Sequence, residues 1–149
     1  MKKVEIFVDG ACKGNPGPGG YAAILKCGRH VKEISGCEPN TTNNRMELKA
    51  VIMALKELKE PCDIYLYTDS MYVVKGITEW IYSWIKKGWV TANKKEVLNK
   101  ELWQELFRLS KKHKIKWIWI KGHNKHPENE RCDKIAKNAI QECIKLKNT

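Results

Sequence analysis

The chain of 149 residues is 42% hydrophobic and carries a formal net charge of +11. That length and apolar content predict one folded domain over residues 1–149 and exclude a wholly disordered chain. The charge points to a polyanionic partner, nucleic acid first. No apolar run is long enough for a bilayer, no signal-peptide core follows Met1, and no amphipathic basic helix stands out, so no membrane partner and a cytoplasmic monomer are expected. The six cysteines, Cys12, Cys27, Cys37, Cys62, Cys132 and Cys143, form no CxxC pair, which argues against structural zinc, and they read as free thiols.

Val4, Ile6 and Val8 alternate with Lys3, Glu5 and Phe7, so a first strand is predicted, ending at Asp9. A loop rich in glycine and proline follows, with Gly10, Gly14, Asn15, Pro16, Gly17 and Gly20. A carboxylate at the end of a buried strand is costly to desolvate unless a cation compensates it. A turn-forming Asp before Gly explains Asp9 equally well on this stretch alone. Residues 21–26 and 30–35 read as a hairpin around Cys27-Gly28-Arg29. The polar segment 39–44 reads as a loop ending in a helix N-cap.

A helix is predicted over 45–58, with Leu48, Val51, Ile52, Leu55 and Leu58 as its core stripe. Glu47 in its first turn shares a flank with Val51 and Ala54 and leans toward the sheet, although a carboxylate there also suits the helix dipole. Residues 64–68 form a fourth strand, and the strand–helix–strand order implies a crossover that sets it parallel to the first. Asp69 caps the next helix or, with Asp9, stands at the carboxyl edge where such sheets bind ligands.

Residues 71–100 are helical in pattern, aromatic and basic, with Tyr72, Trp80, Trp84 and Trp89 among Lys75, Lys86, Lys87, Lys94 and Lys95. Gly76 is expected to divide two helices and Gly88 to end the second. Trp80 and Trp84 share one face as an i, i+4 pair, serving either as a core contact or as a grip on a sugar–phosphate backbone beside the lysines. A helix over 100–110 precedes a fifth strand, 114–121, whose faces are both apolar, as in a covered strand. His123 and His126 sit in a loop; without a carboxylate in register they are weak metal ligands, and a loop histidine can instead shuttle protons. The last helix opens at Pro127 or Glu128 and buries Cys132, Ile135, Ala136, Ala139, Ile140 and Cys143, with Asp133 beside that stripe as a further carboxylate or a dipole partner. Its end beyond residue 143 is expected to fray.

Together these residues resemble the bacterial type 1 ribonucleases H. The resemblance is carried by FVDGACKGNPGPGGYAAIL, TTNNRMELKAVIMAL, YTDSMYVVKGI, KGHNKHPENERCDKIA and the basic insertion WIYSWIKKGWVTANKK, in that order. It implies an α/β ribonuclease H-like fold: a five-stranded mixed sheet, first three strands antiparallel, helices on both sides, and a basic helical protrusion over about 80–100. It implies an endonuclease that hydrolyses the RNA strand of RNA·DNA hybrids, leaving 5′-phosphate and 3′-hydroxyl ends. By resemblance Asp9, Glu47, Asp69 and Asp133 are the catalytic, metal-binding carboxylates and His123 the flexible-loop histidine. Gly14, Asn15, Asn43 and Asn44 would follow the RNA strand, Thr42 and Asn99 a DNA phosphate, and Trp80, Trp84, Lys86 and Lys87 the DNA strand. The chain departs from the family pattern at Met71, where glutamine often reads the minor groove, at Asn40, often arginine, and at Val90 and Leu98, often basic.

Phosphodiester hydrolysis needs an activated water and a stabilised leaving oxygen, which two Mg²⁺ ions about 3.5–4 Å apart can supply, with Mn²⁺ as a substitute. Asp9 would bridge them, Glu47 and Asp69 would complete one site, and Asp133 the other. Integrase- or transposase-like DNA processing is the alternative, since those enzymes share the fold and the acidic site, but they lack TTNNRMEL and GNPGPGG. A non-catalytic nucleic-acid-binding module is a third reading, against which all four carboxylates stand.

Overall fold

The computed structural model describes residues 1–121 and 126–147, the last without its side chain. Strands β1 (Lys2–Cys12), β2 (Gly17–Cys27) and β3 (His30–Thr41) form an antiparallel meander. Strands β4 (Cys62–Thr68) and β5 (Lys114–Trp119) join it in parallel, giving one five-stranded sheet in the order β3-β2-β1-β4-β5. The helices are α1 (Asn43–Lys56), α2 (Met71–Lys75), α3 (Ile81–Lys86), α4 (Lys100–Ser110) and α5 (Pro127–Lys147), with a π-helical turn, Gly76–Trp80, between α2 and α3.

The two faces of the sheet build two cores. Val4, Ile6, Val8, Ile64 and Leu66 pack under α1 and α4, against Leu48, Val51, Leu55, Trp103 and Leu106. Phe7, Ala22 and Ile24 pack under α5, against Cys132 and Ala136. Burying each such Leu, Ile or Val side chain contributes about 1.5–3 kcal/mol, so both layers hold firmly to the central strand. Among the described residues no helix is long and apolar enough to cross a membrane.

The first strand does not end at Asp9. Gly10, Ala11 and Cys12 stay paired with Tyr21, Gly20 and Gly19 of β2, whereas pairing with β4 stops at Phe7 and Tyr67. Asp9 therefore stands where one neighbour strand has ended and the other continues. The reason lies at Gly10: a Cβ there would lie 2.5 Å from the Glu47 nitrogen, so the glycine serves close approach to α1 rather than a turn. The β2–β3 hairpin is also longer than predicted, reaching Thr41 through an irregularity between Gly17 and Gly19.

Helix α1 starts two residues early, with Thr42 as its cap: its Oγ1 accepts from the Arg45 N–H at 3.2 Å. Gly76 ends α2 but does not break the helical path. It keeps right-handed helical angles, φ −61° and ψ −50°, and the chain continues through the π-turn. A Cβ at Gly76 would meet the Trp103 ring at 2.0 Å, so a packing demand is the reason for glycine there. Strand β5 is an edge strand and is not covered on both faces; Trp119 is 44% exposed. Helix α5 runs to Lys147, the last described residue.

Two cysteines are not free thiols. Cys37 of β3 and Cys143 of α5 form a disulfide with a Cα–Cα separation of 5.9 Å. They are 106 residues apart in sequence, and only the packing of α5 across the meander brings them together. Cys12, Cys27, Cys62 and Cys132 are free.

Candidate active site

Asp9, Glu47 and Asp69 converge at the carboxyl edge of β1 and β4, each offering an oxygen within 4.8 Å of the others. Three segments far apart in sequence supply them. Asp9 comes from β1 beyond its last pair with β4, Glu47 from the second turn of α1, and Asp69 from the residue after β4. The approach of Gly10 to α1 orients Glu47, because the Gly10 N–H donates to Glu47 Oε1 at 3.1 Å. The other oxygen, Glu47 Oε2, is buried with no hydrogen-bond partner.

Burial makes this cluster electrostatically costly. Asp9 is 6% exposed and Glu47 4%. Desolvation first, then the charges of Asp69 and Asp133, push the Asp9 carboxyl up to about 7. Desolvation, then Asp9 and Asp69, hold Glu47 well above the ordinary carboxylate range. An orphaned carboxylate oxygen beside two further carboxylates is what a bound cation would satisfy. The donor set is all oxygen, which suits a hard divalent ion. The residues present therefore fit a metal.

Asp133 of α5 lines the same pocket and is not one of the three whose oxygens lie within 4.8 Å. Its charge helps raise the Asp9 carboxyl, and its Oδ2 pairs with Lys137 Nζ at 3.0 Å. The cluster is thus held from both faces of the sheet, by α1 and by α5. His123 lies outside the described residues. His126 is exposed, with its ring 5.7 Å from Tyr67 and 6.4 Å from Phe7.

The polar residues of the β1–β2 loop and of the α1 start are drawn together. Asn15 Oδ1 accepts from the Asn43 N–H at 3.1 Å, and Gly14 (φ 85°) supplies the turn before it. Thr42, Asn43 and Asn44 occupy the cap and first turn of α1. The aromatic residues form a graded row. Trp103 is fully buried, Trp84 lies 5.4 Å from it, and Trp80, 38% exposed, lies 6.1 Å beyond Trp84. Trp84 is therefore partly a core residue and Trp80 a surface one. Lys86 and Lys87 are exposed at the end of α3.

Asn99 is not surrounded as its sequence position alone predicts. It precedes α4 in the left-handed region, φ 61° and ψ 28°, and its side chain does not cap the helix. Arg45 donates to its Oδ1 at 3.0 Å, and its Nδ2 donates to the Tyr72 hydroxyl at 3.1 Å. Sequence reasoning missed Arg45 and Tyr72 as partners. Those contacts span 54 and 27 residues, and no local pattern announces them.

The family model described as RNase H matches residues 1–141. A protein named Ribonuclease H from Geotalea uraniireducens (strain Rf4) is 61% identical over 139 residues, covering 93% of this chain and 95% of its own. One of the same name from Acetivibrio thermocellus is 60% identical over 142 residues, covering 95% and 97%. Among solved structures, LC9-RNase H1, a type 1 RNase H with the type 2 active-site motif, superposes with a TM-score of 0.86 at 31% identity, covering 95% of this chain and 74% of that one. LC11-RNase H1, solved in complex with RNA/DNA hybrid, shares the fold with a TM-score of 0.72 at 22% identity, covering 95% and 99%.

Proposed function

The chain belongs to the ribonuclease H family, and from that premise we propose that it is an endonuclease cutting the RNA strand of RNA·DNA hybrids, leaving 5′-phosphate and 3′-hydroxyl ends. The observation that carries this reading is the convergence of Asp9, Glu47 and Asp69 oxygens within 4.8 Å, with Glu47 Oε2 buried and without a hydrogen-bond partner. Asp9, Glu47, Asp69 and Asp133 would hold two Mg²⁺ ions, with Mn²⁺ as a substitute. When bound, such ions acidify a water and neutralise charge on the departing oxygen.

The chain's own residues set the conditions. The Gly10 N–H fixes one Glu47 oxygen and leaves the other, buried, without a hydrogen-bond partner. Asp133 lines the pocket while its Oδ2 pairs with Lys137. His123 takes or delivers protons near the scissile phosphate. Gly14, Asn15, Asn43 and Asn44 offer polar groups to ribose 2′-hydroxyls, which a wide, shallow minor groove displays on the RNA strand. Trp80, Trp84, Lys86 and Lys87, with Thr42 and Asn99, receive the DNA strand and its phosphates. Selectivity is then for one strand of each kind, with little dependence on base sequence.

The test offers RNA·DNA, RNA·RNA and DNA·DNA duplexes of one sequence, each with Mg²⁺ and with chelator. Metal-dependent cutting of RNA in the hybrid alone is expected. Cutting of the DNA duplex would turn the reading toward strand processing of the integrase kind. Binding to all three without cutting would overturn the catalytic reading.

A further inference from the structure

Asn99 occupies a helix N-cap and forgoes the usual work of one. An asparagine there ordinarily has extended backbone and accepts from an N–H of the first turn. Here the backbone is left-handed and the side chain makes no cap bond. A non-glycine residue holds that conformation only where its surroundings impose it, and such sites concentrate at functional positions.

What imposes it is a hydrogen-bonded chain. The Arg45 guanidinium carries donors only, so its bond to Oδ1 identifies the oxygen end of the amide. The nitrogen end is then directed at the Tyr72 hydroxyl, 3.1 Å away. The Trp103 indole N–H donates to the same hydroxyl at 3.0 Å. Trp103 is fully buried and its ring lies 5.2 Å from that of Tyr72, so the hydroxyl is anchored to the core. With the amide held at both ends it cannot flip. One Nδ2 hydrogen is spent on Tyr72, and the second is available to an acceptor. The Tyr72 oxygen has accepted two bonds and keeps its own O–H to donate.

We propose that Tyr72, through its hydroxyl and with Arg45 at the opposite end, is a positioning residue that presets the Asn99 amide as a donor to a phosphate of the DNA strand. This rests on the reading of Asn99 as a phosphate contact given above. An amide free to turn would present its oxygen to an anion half of the time, and the network removes that state before substrate arrives.

The test uses Tyr72→Phe, which deletes one oxygen and keeps the ring contacts with Trp103 and Trp80. Its partners in a double-mutant cycle are Asn99→Ala and the combined variant. KM and kcat are measured on the hybrid in Mg²⁺, and thermal melting checks that each variant folds. Loss of one preset hydrogen bond is expected to raise KM about five- to tenfold in Tyr72→Phe, with kcat within about twofold of the parent. The double variant is expected to bind no worse than Asn99→Ala alone. A parent-like KM in Tyr72→Phe beside a raised KM in Asn99→Ala overturns the positioning role and leaves the phosphate contact standing. Full additivity of the two losses also overturns it, because Tyr72 would then act without Asn99. A parent-like KM in Asn99→Ala overturns the phosphate contact itself, and this proposal with it.

Discussion

The acidic pocket and the aromatic arm solve opposite problems. At the pocket, buried carboxylates crowd together and Glu47 Oε2 has no partner. On the arm, Trp103 is fully buried, Trp84 leans on it, and exposed Lys86 and Lys87 keep their charges in water. The pocket is costly as it stands, and a bound cation would relieve it. The arm packs on the core without such a cost, and its exposed lysines would gain from a polyanion. Chemistry and affinity are therefore built from different physics on one scaffold, and they can be separated by experiment.

The sharpest way to break that contrast is Asp9→Asn. Removing one of the carboxylates that would hold the metal should lower kcat by at least about a thousandfold on the hybrid. Because the same change removes charge from an overcrowded pocket, metal-free protein at pH 8 should melt no lower than the parent. A lower melting temperature there would mean that the pocket is not strained.

The disulfide tests which region depends on α5. It closes a loop of 106 residues, which in the chain-entropy limit stabilises the folded state by about 5 kcal/mol. Cys143→Ser should lower the denaturant midpoint accordingly, relative to the oxidised parent. It should also weaken Mg²⁺ binding, since α5 carries Asp133, while hybrid binding in chelator stays near the parent's. Equal loss of both would show that the arm too leans on that staple.

The pH dependence follows from the raised carboxyls. Asp9 and Glu47 bind protons more tightly folded than unfolded. Their contribution to stability is therefore complete below the unfolded carboxylate pKa and is lost as pH rises through about 7, where Asp9 ionises. For Asp9 the loss is on the order of 4 kcal/mol. Melts in chelator at pH 4.5, 6 and 8 should fall in that order, and Mg²⁺ should restore stability at pH 8 but not at pH 4.5. A flat profile in chelator would remove the strain argument.

The smallest expected effect lies on the arm. Lys86→Ala with Lys87→Ala should reduce the slope of log K against log salt by about one per lost phosphate contact. kcat at saturating hybrid should stay close to the parent's. A fall in kcat without a change in salt slope would place these lysines nearer the chemistry than their exposure implies.

Much of the scaffold was legible because its signals are local. The Leu-rich stripe of α1, the span of α4 over Lys100–Ser110 and the alternation in β4 all express contacts a few residues apart. The strand–helix–strand order correctly implied that β1 and β4 lie side by side and parallel. That placement alone brings Asp9 and Asp69 to one edge. The fit of five motifs to a known family rested on residue identity rather than on any geometry.

What sequence patterns missed depends on partners distant along the chain. Glycine was read as a breaker at Gly10 and Gly76, whereas α1 and Trp103 need the space a Cβ would fill. Apolar residues on both faces made β5 look covered, but Trp119 is exposed, and no local pattern says which part of a strand the helices reach. The pairing of Cys37 with Cys143 and the turning of Asn99 toward Arg45 and Tyr72 exist only once the elements are packed. The amino-acid sequence by itself determined which elements form and which charges they carry, because helix and strand patterns are short-ranged. Only the tertiary structure decided how buried those charges are and which side-chain atoms meet, because desolvation and hydrogen bonding depend on neighbours that the fold, not the chain order, supplies.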